Sequence, residues 1–222
     1  MLLNEIFREI EEDIRRDQMS KIWKKYGSWL LTIILAIILL TVVLVWWRQQ
    51  QENRQYERAI IYQNAQEIIA SGNPLNAEDL LLSLIKEEGG YSMLARFELA
   101  ALRVKSGKLE TAINIYNGIS EDQGVYYPYR QLSMIKHALL LIEMPEINAN
   151  DLSNMNKTLE KSLKTSTPGP ALALSIREVQ VLLHLKLGQI LEAKEGIIRI
   201  IDNPNAPVNM RRRLTELLKT IE

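Results

Sequence analysis

Two histidines are the side chains of this sequence best suited to proton transfer at neutral pH, because an unperturbed imidazole titrates at about pH 6.5. His137 lies in the segment MIKHALLL, and His184 lies in the segment VLLHLKLG. Both segments are dominated by apolar residues, which is more typical of a packed helix than of a catalytic loop. We therefore predict that His184 is a packed core residue and that His137 lies at the margin of a helix.

Three other groups of polar side chains each have a functional and a structural interpretation. Glu87–Glu88 lies beside a Gly-Gly turn and is expected to be a solvated helix end. Met210–Arg213 contains three arginines, which would either bind an acidic partner or form the basic side of a capping helix. Tyr126, Tyr127 and Tyr129 interleave with Gly and Pro. They form either an exposed recognition patch, since Tyr is common at protein interfaces, or packing between helix pairs.

The sequence lacks the motifs that would support catalysis. It contains no H-E-x-x-H zinc motif, no G-x-S-x-G turn, no Walker loop and no G-x-G-x-x-G fingerprint. It has no Cys, and therefore neither disulfides nor thiolate metal ligands. Its 27 basic and 27 acidic residues cancel, so no basic surplus points to nucleic acid. We predict no catalytic, cofactor-binding or metal-binding residues, no cofactor, no nucleic-acid partner and no enzyme activity.

A long apolar segment precedes the rest of the chain and determines where that part lies. Residues 29–47 have the sequence WLLTIILAIILLTVVLVWW. Roughly 20 helical residues cross a hydrocarbon core. A core helix would keep a polar face, and a cleaved signal would be shorter and would end in small residues. We predict a retained transmembrane helix over 26–47, anchored at the headgroup level by Trp29, Trp46 and Trp47.

Basic residues are more numerous before the apolar segment than in a similar length after it. Lys21, Lys24 and Lys25 form the tightest cluster. Because Lys and Arg are enriched on the cytoplasmic side of membrane helices, this bias indicates the orientation of the chain. We predict a single-pass protein of a bacterial inner (cell) membrane, with its N-terminus in the cytoplasm and its C-terminal domain in the periplasm of a Gram-negative cell.

The segment before the apolar run predicts a short amphipathic helix. Leu3, Ile6, Phe7, Ile10 and Ile14 lie on one helical face, and acidic residues occupy the opposite face. Such a helix would either rest on the inner leaflet or dock on a cytoplasmic or membrane partner. The mixed charge weakens the first alternative, since helices that bind membrane surfaces are usually basic on the polar face.

Three later stretches share one spacing, which indicates a repeat. In each, a Gly follows a small or branched residue by seven positions, and precedes an Ala by five and a bulky residue by nine. The stretches are Ala65-Gly72-Ala77-Leu81, Ala100-Gly107-Ala112-Tyr116 and Val181-Gly188-Ala193-Ile197. The first two glycines are 35 residues apart, close to the period of tetratricopeptide repeats. Gly would adopt a left-handed turn conformation, and Ala would let two helices approach closely.

Together these patterns predict an all-α protein: one N-terminal transmembrane helix, then a tetratricopeptide-like α-solenoid of helix pairs with a C-terminal capping helix. We expect a cytoplasmic amphipathic segment at 1–25, the transmembrane helix at 26–47 and the solenoid domain at 48–222. Within the solenoid, the expected parts are a connecting helix at 48–70, helix pairs at about 55–88, 93–124, 128–165 and 170–203, and a cap at 207–222.

The chain resembles a known family. The segment IFREIEEDIRRDQMSKIWKKYGSWLL, one span and degenerate tetratricopeptide helices are similar to the YfgM-like membrane-anchored proteins of proteobacteria. The F-R-E, E-E, R-R-D and W-K-K-Y-G elements resemble the alphaproteobacterial branch. The resemblance covers essentially the whole chain. It implies an ancillary subunit of the Sec translocon that works with periplasmic chaperones on newly exported chains, and it defines no catalytic residues.

Two functions follow as expectations. The first is a membrane-anchored protein–protein interaction scaffold that assists protein export or chaperone handover at the translocon. The second is an envelope assembly or cell-division factor that binds cell-wall enzymes. In both, the partners are the membrane bilayer and other proteins. We predict partner-binding roles for Arg96, Arg103, Tyr127 and Arg130, which lie near inner-helix positions of the middle repeats.

Overall fold

The computed structural model describes residues 2–165 and 169–221, and for residues 2–28, 170 and 171 it describes the backbone alone. These residues form nine α-helices and no β-strand, which confirms the all-α prediction. The helices are α1 (Leu2–Ala70), α2 (Pro74–Ile85), α3 (Gly90–Lys105), α4 (Leu109–Glu121), α5 (Tyr127–Glu143), α6 (Ala149–Thr165), α7 (Pro170–Lys186), α8 (Ile190–Ile201) and α9 (Val208–Thr220). The expected apolar face of the first 25 residues lies outside the described side chains.

The chain divides into two compact units, Met1–Glu57 and Arg58–Glu222. In the first unit, every side chain from Trp29 to Trp47 is exposed, including those of the three tryptophans predicted to be membrane anchors. The hydroxyl of Thr41 donates to the carbonyl of Ile37 at 2.8 Å, so this polar group is satisfied within the apolar segment. Among the described residues, α1 is the one helix long and apolar enough to cross a membrane.

Four apolar clusters run through the second unit, and each joins one helix pair to the next helix. The first contains residues of the end of α1, α2 and α3, with Ala65, Leu81 and Leu99 as members. The second combines α3, α4 and α5, the third α5, α6 and α7, and the fourth α7, α8 and α9. A helix pair therefore completes its core only by stacking on its neighbour, as in an α-solenoid.

The turn inside three of the helix pairs has the backbone conformation that the spacing predicts. Gly72, Gly107 and Gly188 have φ angles of +86°, +73° and +72°. At the first turn, the N–H of Gly72 donates to the carbonyl of Ile69 and the N–H of Asn73 donates to that of Ile68, and both other turns repeat this pattern. These paired bonds satisfy carbonyls that the helix end would otherwise leave free.

The remaining residues of the repeated spacing form the contacts between paired helices. The alanines that follow the turn glycines, Ala77, Ala112 and Ala193, are fully buried. The bulky residues one turn later, Leu81, Tyr116 and Ile197, are buried as well. All six lie in the apolar clusters, so the small side chain brings two helices together and the large one fills the adjoining space.

The pair α5–α6 is formed differently, because its turn contains no glycine. The chain passes from Glu143 to Ala149 through an irregular segment that begins with the extended residue Met144. Polar bonds link the helices at the other end of the pair. The hydroxyl of Tyr127 donates to the carbonyl of Ser162 at 3.0 Å, and the buried amide of Gln131 donates to the same oxygen at 3.4 Å.

The glycine in the middle of α8 generates a first prediction. A Cβ on Gly196 would lie 2.7 Å from Cγ2 of Val181, a stiff and buried β-branched side chain. A Cβ on Gly118 in α4 would meet only Arg96 Nη2, at an ordinary 3.5 Å. We expect Gly118→Ala to stabilise the fold by about 0.5–1 kcal/mol through helix propensity. Gly196→Ala should lose that gain to overpacking of about 1–3 kcal/mol. Urea unfolding of the full-length chain in detergent measures both, and equal effects would contradict the close contact.

The half-buried His137 generates a second prediction. Burial lowers the pKa of His137 below its ordinary value, and the charge of Glu121 opposes this shift in part. The unfolded state therefore binds a proton at higher pH than the folded state does. The neutral form of His137 therefore contributes to the stability of the folded state. This contribution is fully present above the ordinary pKa of His and is lost as pH falls through the lowered pKa of the folded state. Between pH 7.5 and 5.5, the unfolding temperature of the wild type should fall more than that of His137→Gln. Parallel decreases would show that another group titrates.

Candidate protein-binding surface

A groove lies between the turn that joins α2 to α3 and the turn that joins α4 to α5. Its volume is about 1050 Å³, and its wall includes Leu94, Tyr126 and Tyr129. Tyr126 is 72% exposed and Tyr129 is 41% exposed, and their ring centroids are 6.4 Å apart in an edge-to-face arrangement. We call this site the tyrosine groove. It presents aromatic surface to solvent beside Gly89 and Gly90, which have no side chains to cover the main chain.

An ion pair forms part of the lining of the tyrosine groove. Nη1 of Arg96 donates to Oδ2 of Asp122 at 2.7 Å, which links α3 to the end of α4. The hydrogen bond from Arg96 lowers the pKa of Asp122 below its ordinary value, and the N–H of Gly124 adds to this shift. The same bond holds the guanidinium of Arg96 at the groove.

Two more of the predicted partner-binding residues lie on α5 beside the groove. The guanidinium of Arg130 lies 5.4 Å from the ring centroid of Tyr127 in a cation–π contact. Its Nε donates to the carbonyl of Ser120 at 2.9 Å. Tyr127 and Arg130 are both half-buried, so the tyrosine cluster is divided. Tyr127 packs between helices, whereas Tyr126 and Tyr129 face solvent. The packing interpretation therefore describes Tyr127, whereas a recognition role for the exposed Tyr126 and Tyr129 stays a prediction.

The fourth predicted residue, Arg103, lies apart from the tyrosine groove. Its guanidinium makes a bidentate ion pair with Glu78, one bond being 3.0 Å between Nη1 and Oε2. This pair connects α3 to α2. All four predicted residues therefore make polar bonds within the chain, and their roles in partner binding stay predictions.

The two other charged groups singled out in the sequence also make bonds within the chain. Glu87 is exposed and accepts a hydrogen bond from Arg58 at 2.8 Å. In the arginine run, Arg211 donates to the carbonyl of Asn203 at 3.0 Å, and Arg213 donates to Glu178 on α7. These contacts tie α9 to the preceding helices, as expected of a capping helix.

A second groove, of about 540 Å³, lies among α6, α7 and α8 and contains His184. The prediction that His184 is a core residue is wrong, because the side chain is half-buried and both ring nitrogens have polar partners. Nδ1 lies 2.7 Å from Oε1 of Gln189, and Nε2 lies 3.3 Å from Nδ2 of Asn156. Gln180 in turn donates to Oδ1 of Asn156 at 3.0 Å. The spacing of Arg177, Gln180 and His184 on one face of α7 was a signal for this polar face.

Within the residues that the structure describes, no three His, Asp or Glu side chains gather into a group that could hold a metal ion.

No curated protein and no solved structure matches the chain. Residues 21–167, more than half of the sequence, match the family described as tetratricopeptide repeat-like domain. Beyond that segment, the glycine turn of α7–α8 repeats the geometry of the two earlier glycine turns. The chain therefore belongs to the tetratricopeptide repeat-like domain family.

Proposed function

We propose that this protein is a membrane-anchored scaffold that holds partner proteins near the outer face of a bacterial inner membrane. The observation that carries the proposal is a stack of tetratricopeptide-like helix pairs in the same chain as one helix apolar enough to span a bilayer. Domains of this family generally mediate protein–protein interactions. Anchoring such a domain raises its effective concentration for partners that lie in the same membrane.

The tyrosine groove is the surface best suited to contact a partner, and an extended segment of another protein is the occupant that we propose. Tyr126 and Tyr129 offer amphipathic rings that lose little conformational entropy when they bind. The neighbouring glycines give a bound main chain room to approach. The Arg96–Asp122 pair at this site is already formed in the free protein, so binding does not have to order these two side chains.

The resemblance of the first 30 residues to YfgM-like proteins supports a role in protein export, with translocon subunits or periplasmic chaperones as the partners. The bias of Lys and Arg toward the N-terminal flank supports a cytoplasmic N-terminus. Binding of cell-wall enzymes by the same domain would instead fit an envelope assembly or division factor. The identity of the proteins bound at the tyrosine groove distinguishes the two functions.

Membrane orientation gives a third prediction. We expect a C-terminal fusion to alkaline phosphatase to be active in a Gram-negative host, because that enzyme matures only outside the cytoplasm. A C-terminal fusion to green fluorescent protein that is exported through the Sec pathway should be dark in the same host. The reverse result, a fluorescent fusion and an inactive phosphatase, would place the domain in the cytoplasm and contradict the orientation.

Crosslinking at the tyrosine groove gives a fourth prediction. A photoreactive amino acid at position 126 should capture translocon subunits or chaperones in intact cells, and Tyr129→Ala should reduce capture several-fold by removing the neighbouring ring. Val208, which is also highly exposed, is the matched control position and should not capture the same proteins. Capture of cell-wall synthases at position 126 would favour the alternative function. Equal capture at both positions would exclude the tyrosine groove as the binding surface.

A further inference from the structure

The outward face of α8 carries exposed apolar side chains although its opposite face is buried in the fourth cluster. Leu191 is 69% exposed and Ile198 is 48% exposed. They lie seven residues apart, so two helical turns place them on the same face. Lys194 and Glu195 lie between them on that face. The apolar pair and the charged pair together form a strip, which we call the α8 strip.

The repeat itself does not require apolar residues at these positions. Leu191 and Ile198 follow the turn glycine Gly188 by three and ten residues. The equivalent residues of α4, counted from its own turn glycine, are Glu110 and Asn117, both polar. Those of α2 are Leu75 and Leu82, which are 77% and 38% exposed. Because α4 packs in its cluster with polar residues at both positions, a helix pair can form without apolar ones there. At the two positions between, α2 carries Glu78 and Asp79, whereas α8 carries Lys194 and Glu195, so of these three helices α8 alone offers both charges there.

We propose that the α8 strip binds the α8 strip of a second copy of this chain, with the two helices antiparallel about a two-fold axis. The strip is complementary to itself in this arrangement. An axis between positions 194 and 195 brings Leu191 against the second copy's Ile198. The same axis brings Lys194 against the second copy's Glu195. Each contact occurs twice, as in every isologous interface.

The charges of the free chain agree with this occupant. Among the described residues Lys194 has no ion pair, and Glu195 contacts only Arg199 on its own helix, at 3.5 Å. Both side chains can therefore meet a partner of opposite charge without breaking a strong bond. An antiparallel pair would also bury four exposed apolar side chains, two from each copy, which supplies the attraction.

The α8 strip is short, which bears on how stable the dimer is. One face of a 12-residue helix buries less area than the roughly 1,200–2,000 Å² of stable complexes. We therefore expect a weak dimer that forms when two copies share a membrane and their effective concentration is high. The pairing is independent of the protein bound at the tyrosine groove, so either proposal can fail without the other.

Charge exchange tests the proposed pairing. Lys194→Glu would set two glutamates against each other twice across the axis, and Glu195→Lys would do the same with two lysines. Each single variant should raise the dissociation constant by roughly tenfold, and the double variant should restore dimerisation because it exchanges both signs. Sedimentation equilibrium of the full-length chain in detergent measures the constants. If the double variant dimerises no better than the singles, the two-fold pairing is wrong.

Site-directed crosslinking tests the same arrangement in native membranes, and the absence of Cys makes each introduced thiol unique. Glu195→Cys lies next to the axis and should form a disulfide-linked homodimer on mild oxidation. The matched control is Asp79→Cys, which follows the turn glycine of its own pair by the same seven residues and is also exposed. Asp79→Cys leaves the α8 strip intact, and α2 offers a second copy no basic side chain at 78 or 79, so the thiol at 79 should not form a disulfide-linked homodimer.

The remaining outcomes of the crosslinking experiment overturn the proposal in distinct ways. A disulfide no more abundant at 195 than at 79 would mean that α8 does not contact its copy. Crosslinking of position 195 to a different protein would assign the α8 strip to that partner. A thiol at 195 that is shielded from a water-soluble maleimide without forming any crosslink would indicate that lipid covers the strip.

Discussion

Close approach of two helices is the constraint on which the second unit depends. A turn glycine reverses the chain within a few residues, and a fully buried alanine on the second helix lets the backbones come together. Where this spacing occurs, at Gly72, Gly107 and Gly188, the turns have the same hydrogen bonds. The apolar clusters form only because each pair then presents one face to the next helix. The tyrosine groove, which lies between the two turns that join α2 to α3 and α4 to α5, is a product of the same stacking.

The repeats could be predicted from the sequence because small residues at fixed spacing have a direct geometric meaning. A turn that needs positive φ favours Gly, and a close contact between helices favours Ala. The same Gly-x4-Ala spacing therefore recurs at each such turn. The pair α5–α6 lacks the glycine, and the sequence predicted it only as a further helix pair at about 128–165. The organisation of the first 25 residues stays a prediction.

The functional surface was harder to predict, because polar side chains were paired across large sequence separations. Arg103 bonds to Glu78, and Arg96 bonds to Asp122, over 25 and 26 residues. No local pattern distinguishes such an arginine from one that is free to bind a partner. The error at His184 has a similar cause. Its neighbours in sequence are apolar, but its polar contact Asn156 lies on another helix.

Helix α7 belongs to two clusters at once. Ile176 and Leu183 pack with α5 and α6, whereas Leu174 and Val181 pack with α8 and α9. The segment matched by the family ends at residue 167, before this helix begins. A fragment that ends at that boundary would therefore lack α7. The apolar side chains of α5 and α6 that α7 covers would then be exposed, and the fragment would be prone to aggregate. The segment that shows the family is therefore shorter than the packed unit, which continues through α9.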